Sequence, residues 1–275
     1  MLKRIISGTV LAILLLLVII FGGSVMWAFT LLISVIAYGE LTAALGIHEK
    51  EKRINAPEII GIVTILLYYA GILLDAGSEV IQFILVISVI VTLGVYVFTF
   101  PRFDWKAIAG NVFALLYAPF MLSFIYLTRE RFQNGALLVV LIFVGSWISD
   151  TCAYFVGVAI GKHKLAPVLS PKKSIEGSIG GIVGAALIGA LYAFILSHLG
   201  LGYASMREVI IFAILGGAGS VISQIGDLAA SAIKRQVDIK DYGTLIPGHG
   251  GIMDRFDSVI VTAPLVYFLA GFLLK

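Results

Sequence analysis

ALLVVLIFVGSWISDTCAYFVGVAI, residues 136–160, decides what kind of protein this is. It exceeds the roughly 20 mostly apolar residues that cross a hydrocarbon core. It carries one carboxylate, Asp150, and no basic residue. Similar apolar stretches lie on both sides of it, near 5–22, 25–46, 58–74, 79–99, 108–127, 178–199, 208–233 and 258–274, giving nine in all. The longest of them, with 136–160 itself, are long enough to tilt or to project beyond the bilayer.

The composition agrees. Of 275 residues, 60% are hydrophobic and 13% charged, against about 45–50% and 25% in soluble domains. So few polar residues cannot cover a soluble domain of this size, which leaves lipid as the solvent for most of the surface. The expected fold is therefore all-α, a polytopic integral membrane protein of about nine transmembrane helices. The basic start and apolar run at the N-terminus resemble a signal peptide. No convincing cleavage site follows before more apolar sequence, so the run is read as a retained first helix. Cys152 is the single cysteine, which rules out an intrachain disulfide.

Lysine and arginine set the orientation. With the N-terminus in the cytoplasm, all of the 19 basic residues except Arg129, Arg131, Arg207 and Lys275 fall on the cytoplasmic side. This predicts an inside N-terminus and an outside C-terminus.

The chain changes character in its second half. Residues 1–135 read as scaffold helices with short loops, and Glu40 is the main ionisable exception, assigned to packing, surface or an unknown role. Residues 136–275 read as the catalytic region, with two basic, glycine-rich cytoplasmic loops at 161–177 and 234–257.

An acid inside a bilayer is costly and usually faces a cavity, a partner or a metal. Asp150 and Asp227 are such acids, although each can also be read as snorkelling from a helix end or pairing with a lysine. Gln224, Asp227, Ser231 and Lys234 are spaced to share one stripe of a helix. A polar stripe on an apolar helix suits the wall of a wet cavity.

The first loop region, GKHKLAPVLSPKKSIEGSIGG (161–181), holds Lys162, His163, Lys164, Ser170, Lys172 and Lys173. Lysines beside glycines suit a polyphosphate or an anionic lipid surface. It is not a P-loop, because the glycine-lysine-serine order is absent. The second region, KRQVDIKDYGTLIPGHGGIMDRFDS (234–258), combines Asp238, Asp241, Asp254 and Asp257 with Lys234, Arg235, Lys240 and Arg255. Hard oxygen ligands of this kind suit magnesium. Gly250 and Gly251 let backbone amides approach a ligand. His249 suits a phosphate donor, a proton shuttle or an exposed side chain equally well.

Those residues resemble a known family. SAIKRQVDIKDYGTLIPGHGGIMDRFDS (231–258) looks like the signature of the phosphatidate cytidylyltransferases, also called CDP-diacylglycerol synthases. The matching positions are Ser231, Lys234-Arg235, Lys240-Asp241, Pro247, His249-Gly250-Gly251, Asp254-Arg255 and Asp257. Asp150-Thr151, Ala153-Tyr154, Gly161-Lys162, Ser170-Pro171-Lys172-Lys173 and Glu176-Gly177 resemble the same family. Ser174-Ile175 departs from it, where threonine and an aromatic are expected.

The resemblance implies transfer of a cytidylyl group from CTP to phosphatidate, with a magnesium requirement. It suggests that Asp227 and Asp254 hold one or two cations, with Asp150 and Asp257 as further metal ligands or supports. Lys234, Arg235 and His249 join Asp227 and Asp254 as catalytic candidates. Lys162, Ser170, Lys172, Lys173, Ser231, Lys240, Asp241, Gly250, Gly251 and Arg255 are the substrate-binding candidates. The expected partners are CTP, phosphatidate and the bilayer, with no nucleic acid, and the small-residue helix faces permit a homodimer. A bacterial inner (plasma) membrane with a cytoplasmic active site is the expected location. Two other readings are open at this stage: a CTP-dependent polyprenol kinase, which would release CDP, and a transporter, which would spread its polar residues along a path open to both sides.

Overall fold

A computed structural model describes residues 2–47, 54–202, 205–248 and 250–274. The chain divides into two compact units, described in turn. The first comprises residues 1–126 and 237–254, and the second comprises residues 127–236 and 255–275. The sequence places a boundary near residue 135 and groups the last loop with the second half, whereas this division groups residues 237–254 with the first helices.

The first unit is built from α1 (Leu2–Phe21), α2 (Gly23–Ala44), α3 (Ala56–Leu73), α4 (Ser78–Thr99) and α5 (Trp105–Leu115). A π-helical turn, Leu116–Phe120, joins α5 to α6 (Met121–Arg131). The turn contains Pro119, which has no N–H to donate and would clash within a regular helix. Local caps start the helices where the sequence supplies them. Asn55 and Glu58 form a reciprocal capping box on α3. Asp104 accepts the Ala107 N–H at the start of α5.

The core of this unit is apolar, with Met26, Ala37, Leu41, Ile65, Leu122 and Ile125 almost fully buried. Its buried polar groups pair between helices, because lipid offers them no partner. The Tyr69 hydroxyl lies 2.6 Å from Ser34 Oγ, the Tyr68 hydroxyl 2.9 Å from Ser123 Oγ, and Trp27 Nε1 donates to the Tyr69 carbonyl at 2.8 Å. By contrast α4 buries only Ser88 and Thr92.

The second unit contains α7 (Gly135–Phe143), a π-helical turn (Val144–Ile148), α8 (Ser149–Ile160), β1 (Lys164–Ala166), β2 (Ser170–Ser174), α9 (Ile175–His198) and α10 (Met206–Gln236). Most of α11 (Met253–Leu273) also belongs to it. Glycines let these helices touch backbone to backbone. A Cβ on Gly145 would sit 3.0 Å from Gly219 Cα, and one on Gly177 would sit 2.7 Å from the Ala153 carbonyl oxygen.

Eight helical segments among the described residues are long and apolar enough to cross a membrane: 23–44, 56–73, 78–99, 105–131, 135–160, 175–198, 206–236 and 253–273. The expected first span is the helix α1, with a shorter apolar stretch at Gly8–Phe21. Large side chains such as Leu32, Phe83, Phe98, Phe155, Leu187 and Phe268 are exposed along these helices. An exterior of that kind is stable only against lipid. The chain is an all-α, polytopic integral membrane protein.

Two local differences from the sequence reading matter for function. The first loop region folds in part as an antiparallel hairpin, β1 against β2, with a bulge between the Lys164–Ser174 and Ala166–Ser170 pairs. Pro171 is tolerated in β2 because a two-stranded ribbon has only edges. The last loop is also shorter than expected. Lys234 and Arg235 lie in the last turn of α10 and Asp254 in the first turn of α11. Each charge has the sign that its helix end favours.

Candidate functional site

The second unit holds a cavity of about 510 Å³ lined by α8, the hairpin, α9 and α10. That is within the usual range for a small-molecule site. Its polar lining residues are Asp150, Lys164, Lys172, Lys173, Ser174, Ser178, Gln224 and Asp227, and they alternate along the same elements with the apolar Ala153, Tyr154, Val158 and Leu165.

The polar lining residues are organised around Asp227. The Lys173 ammonium forms an ion pair with the Asp227 carboxylate. One helical turn before it, Gln224 is held at both ends. Its Oε1 accepts from the Ser178 hydroxyl, and its Nε2 donates to the Ser178 carbonyl at 3.2 Å and to Ser220 Oγ at 3.3 Å. Ser220 Oγ in turn lies 2.6 Å from Ser149 Oγ, the residue before Asp150. This network fixes α8, α9 and α10 around the two acids.

The hairpin is pinned by a residue that sequence reading left without a role. The Glu176 carboxylate accepts the backbone N–H groups of Lys162 (3.1 Å) and His163 (3.2 Å) and lies 2.6 Å from His163 Nδ1. The Ile175 N–H donates to the His163 carbonyl at 2.9 Å. Ser174 Oγ accepts the Gly177 N–H at 3.1 Å and caps α9. The lysine-bearing strand β2 therefore enters directly into a capped helix.

Asp257, buried on α11, interacts electrostatically with Asp150 and Asp227, and the surrounding cations are Lys173, Lys234 and Arg255. Magnesium takes one or two carboxylates and completes its shell with water and phosphate oxygens, and these acids are of that hard-oxygen type. Among the described residues, no three or more His, Cys, Asp or Glu side chains are placed so that together they could hold a metal ion. The backbone of Arg255 is tied to this unit by the Trp147 indole N–H, which donates to its carbonyl at 3.3 Å.

The structure thus brings Asp150, Asp227, Lys172 and Lys173 to one cavity. Ser170 starts β2, and Lys162 is held at the foot of the hairpin by Glu176. Ser231, Lys234 and Arg235 continue along α10, with Ser231 and Lys234 half-buried and Arg235 exposed. His249 lies outside the described residues. Lys240, Asp241, Gly250, Gly251 and Asp254 belong to the first unit. There Lys240 and Asp241 are exposed. Asp254 is buried, and its Oδ2 accepts the N–H groups of Tyr242 (2.7 Å) and Gly251 (3.0 Å). These two bonds tie its carboxylate to the loop backbone. Lys164, Tyr154 and Ser178 line the cavity but were not among the expected site residues. Lys164 and Ser178 sit within the first loop region, so their proximity to Lys172 was the available signal.

The cavity thus combines lysines, aspartates and apolar side chains in one lining. Residues 2–273 match the family described as the cytidylyltransferase family. The chain belongs to the cytidylyltransferase family. Among its relatives is the phosphatidate cytidylyltransferase of Bacillus subtilis, 32% identical over 272 residues, which covers 97% of this chain and 96% of the relative. The protein of the same name from Staphylococcus saprophyticus is 34% identical over 256 residues, 92% of each chain. The one from Synechocystis is 41% identical over 145 residues, 53% of this chain and 47% of the relative. As a member of this family the chain is a nucleotidyltransferase.

Proposed function

We propose that the chain transfers the cytidylyl group of CTP to phosphatidate, forming CDP-diacylglycerol and releasing pyrophosphate. The observation that carries this reading is the Lys173–Asp227 pair in a cavity lined by three lysines, two aspartates and apolar side chains. The names and near-complete coverage of the relatives support the same substrates.

In this reaction a phosphate oxygen of phosphatidate bonds to the α-phosphorus of CTP. The bond from that phosphorus to the β-bridging oxygen breaks, and its electron pair leaves with pyrophosphate. The acceptor phosphate is already ionised at neutral pH, so no strong base is required. The difficulty is charge, because one polyanion must approach another. Positioning and neutralisation are the available forms of catalysis.

The residues suit those tasks. Lys164, Lys172 and Lys173 neutralise phosphates at the hairpin wall. Asp227 holds the Lys173 ammonium in the cavity rather than in solvent. Tyr154, Val158 and Leu165 give the glycerolipid an apolar approach while its phosphate meets the lysines. Magnesium needs one or two carboxylates, and Asp150, Asp227 and Asp257 are the candidates to supply them. When bound, the ion supplies positive charge to the phosphates and orients them.

The charge distribution supports a cytoplasmic N-terminus and a cytoplasmic active site, and the bacterial relatives support the plasma membrane of a bacterium. The test of activity is an assay with labelled CTP, phosphatidate and magnesium on purified protein in detergent. Lipid-soluble cytidine label with pyrophosphate, both lost on chelation, is the expected result. CDP released on addition of a polyprenol, with no product from phosphatidate, would replace this reading with the kinase.

A further inference from the structure

Within the first unit, Glu40 near the end of α2 reaches into the last loop. Its Oε2 accepts the Met253 N–H at 2.7 Å and its Oε1 accepts the Ile252 N–H at 3.1 Å. These donors open α11, where the first-turn N–H groups have no partner within the helix. The preceding N–H, of Gly251, is taken by Asp254. Two carboxylates thus divide three successive backbone donors. Asp254 acts locally, while Glu40 acts from more than 200 positions away in the chain.

The loop is moulded to Glu40. A Cβ added to Gly243 or to Gly251 would collide with its carboxylate. Two glycines on opposite sides of the loop therefore close on one acidic side chain. Between them the Ile246 N–H donates to the Gly250 carbonyl at 2.8 Å, and Gly248 and Gly250 adopt φ of 78° and 87°. That backbone is open to glycine and strained for other residues. The same segment carries Tyr242, whose N–H Asp254 accepts, and directly follows Lys240 and Asp241.

We infer that Glu40 is a positioning residue: its carboxylate, enclosed by Gly243 and Gly251, sets the shape of the loop at residues 242–248 and 250–253 and thereby the affinity of the enzyme for a phosphate-bearing substrate. The second clause rests on the proposed function and on the expectation that Lys240, Asp241, Gly250 and Gly251 bind its substrates, and the first rests on neither. Glu40 touches no reacting atom in this scheme and works through backbone amides. A carboxylate accepts two N–H donors at once. A glutamine in its place presents only one oxygen and turns an NH₂ group towards the other donor.

The experiment compares the full-length wild type with Glu40→Gln, Glu40→Ala, Gly243→Ala and the Glu40→Ala/Gly243→Ala double variant. Hydrogen exchange of the purified proteins reads the loop without any substrate. In Glu40→Ala, exchange across 242–253 should rise about tenfold while α9 and α10 keep their protection. Unchanged exchange there overturns the inference whether or not the protein makes CDP-diacylglycerol.

Kinetics reads the second clause. In Glu40→Gln the KM for CTP or for phosphatidate should rise about tenfold, with kcat changed much less. A merely structural role would reduce the active fraction, which lowers apparent kcat and leaves KM unaltered, and that outcome overturns the clause. Gly243→Ala should be damaging alone, whereas the double variant should be no worse than Glu40→Ala, because the collision has been removed. Additive losses in the double variant would refute the packing argument. A wild type with no cytidylyltransferase activity would refute the proposed function and leave the exchange result standing.

Discussion

Removing the charge on Asp227 while keeping its shape, as in Asp227→Asn, tests the centre of the site. Lys173 then loses its partner. The two side chains are 27% and 25% exposed, so the pair is neither a surface pair screened by water nor a fully buried one. Surface pairs contribute about 0–1 kcal/mol, and breaking a buried pair costs about 3–5 kcal/mol. An intermediate loss of about 1–3 kcal/mol in stability is therefore expected, small enough to leave a folded protein for assay. The effect on turnover should be larger. Removing one electrostatic contact to a reacting group costs about 10²–10³ in kcat. Lys173→Met should cause a similar loss, because the ammonium that meets the phosphates is the one that Asp227 holds. If the pair acts as a unit, the double variant is no slower than the worse single variant. If the residues act independently, the losses multiply to about 10⁴–10⁶. The assay is the initial rate of lipid-soluble cytidine label in mixed micelles, with Tm recorded for every variant. Multiplying losses, or near-normal turnover in either folded single variant, would refute the unit.

Three further outcomes follow from named contacts. Asp254→Asn should keep a Tm close to wild type because an amide oxygen can still accept from Tyr242 and Gly251, whereas Asp254→Ala leaves two N–H groups unpaired at about 1–3 kcal/mol each. Equal Tm values for the two variants would show that the loop does not depend on this acceptor. Gly177→Ala puts a methyl 2.7 Å from the Ala153 carbonyl and 2.9 Å from Ser174 Oγ. It should force α8 and α9 apart at a cost of about 1–3 kcal/mol, read by thermal unfolding. Ser174→Ala removes the α9 cap and should cost about 1 kcal/mol, while Ser174→Thr should retain it. A Tm drop equal in both would argue against the cap.

The membrane class and the positions of the spans were legible because apolar length is a local property. Residues 136–160 and 79–99 announce themselves, and the structure has helices at 135–160 and 78–99. Helix ends carrying charge were harder. Asp254, Arg255 and Asp257 read as loop on hydropathy, yet the start of a helix favours acids, and α11 begins at Met253. The hairpin was hidden by Pro167 and Pro171, which argue against strands unless the ribbon has free edges. Within the site, intramembrane cost drew attention to Asp150 and Asp227, and both line the cavity. The Lys173–Asp227 pair joins a strand to a helix across 54 positions, and no spacing rule reaches that far.

Carboxylates expose a deeper limit of reading by residue type. The same chemistry, two oxygens and a negative charge, serves a metal, a lysine or a row of backbone N–H groups. Asp227 takes a lysine, Asp254 two amides, Glu176 the foot of a hairpin and Glu40 the first turn of α11. What separates them is the donor on the other side, and that is set by the fold. Glu40 was the hardest to assign because its partners are backbone groups, which have no letter in the sequence. The only trace it leaves is indirect, in Gly243 and Gly251, two small residues whose absent side chains make room for it. A glycine-rich loop in such a protein can therefore record an acid seated in it as well as a phosphate passing over it. The hydrogen-exchange comparison of Glu40→Ala distinguishes these two causes, because only the first removes the loop's order in the absence of substrate.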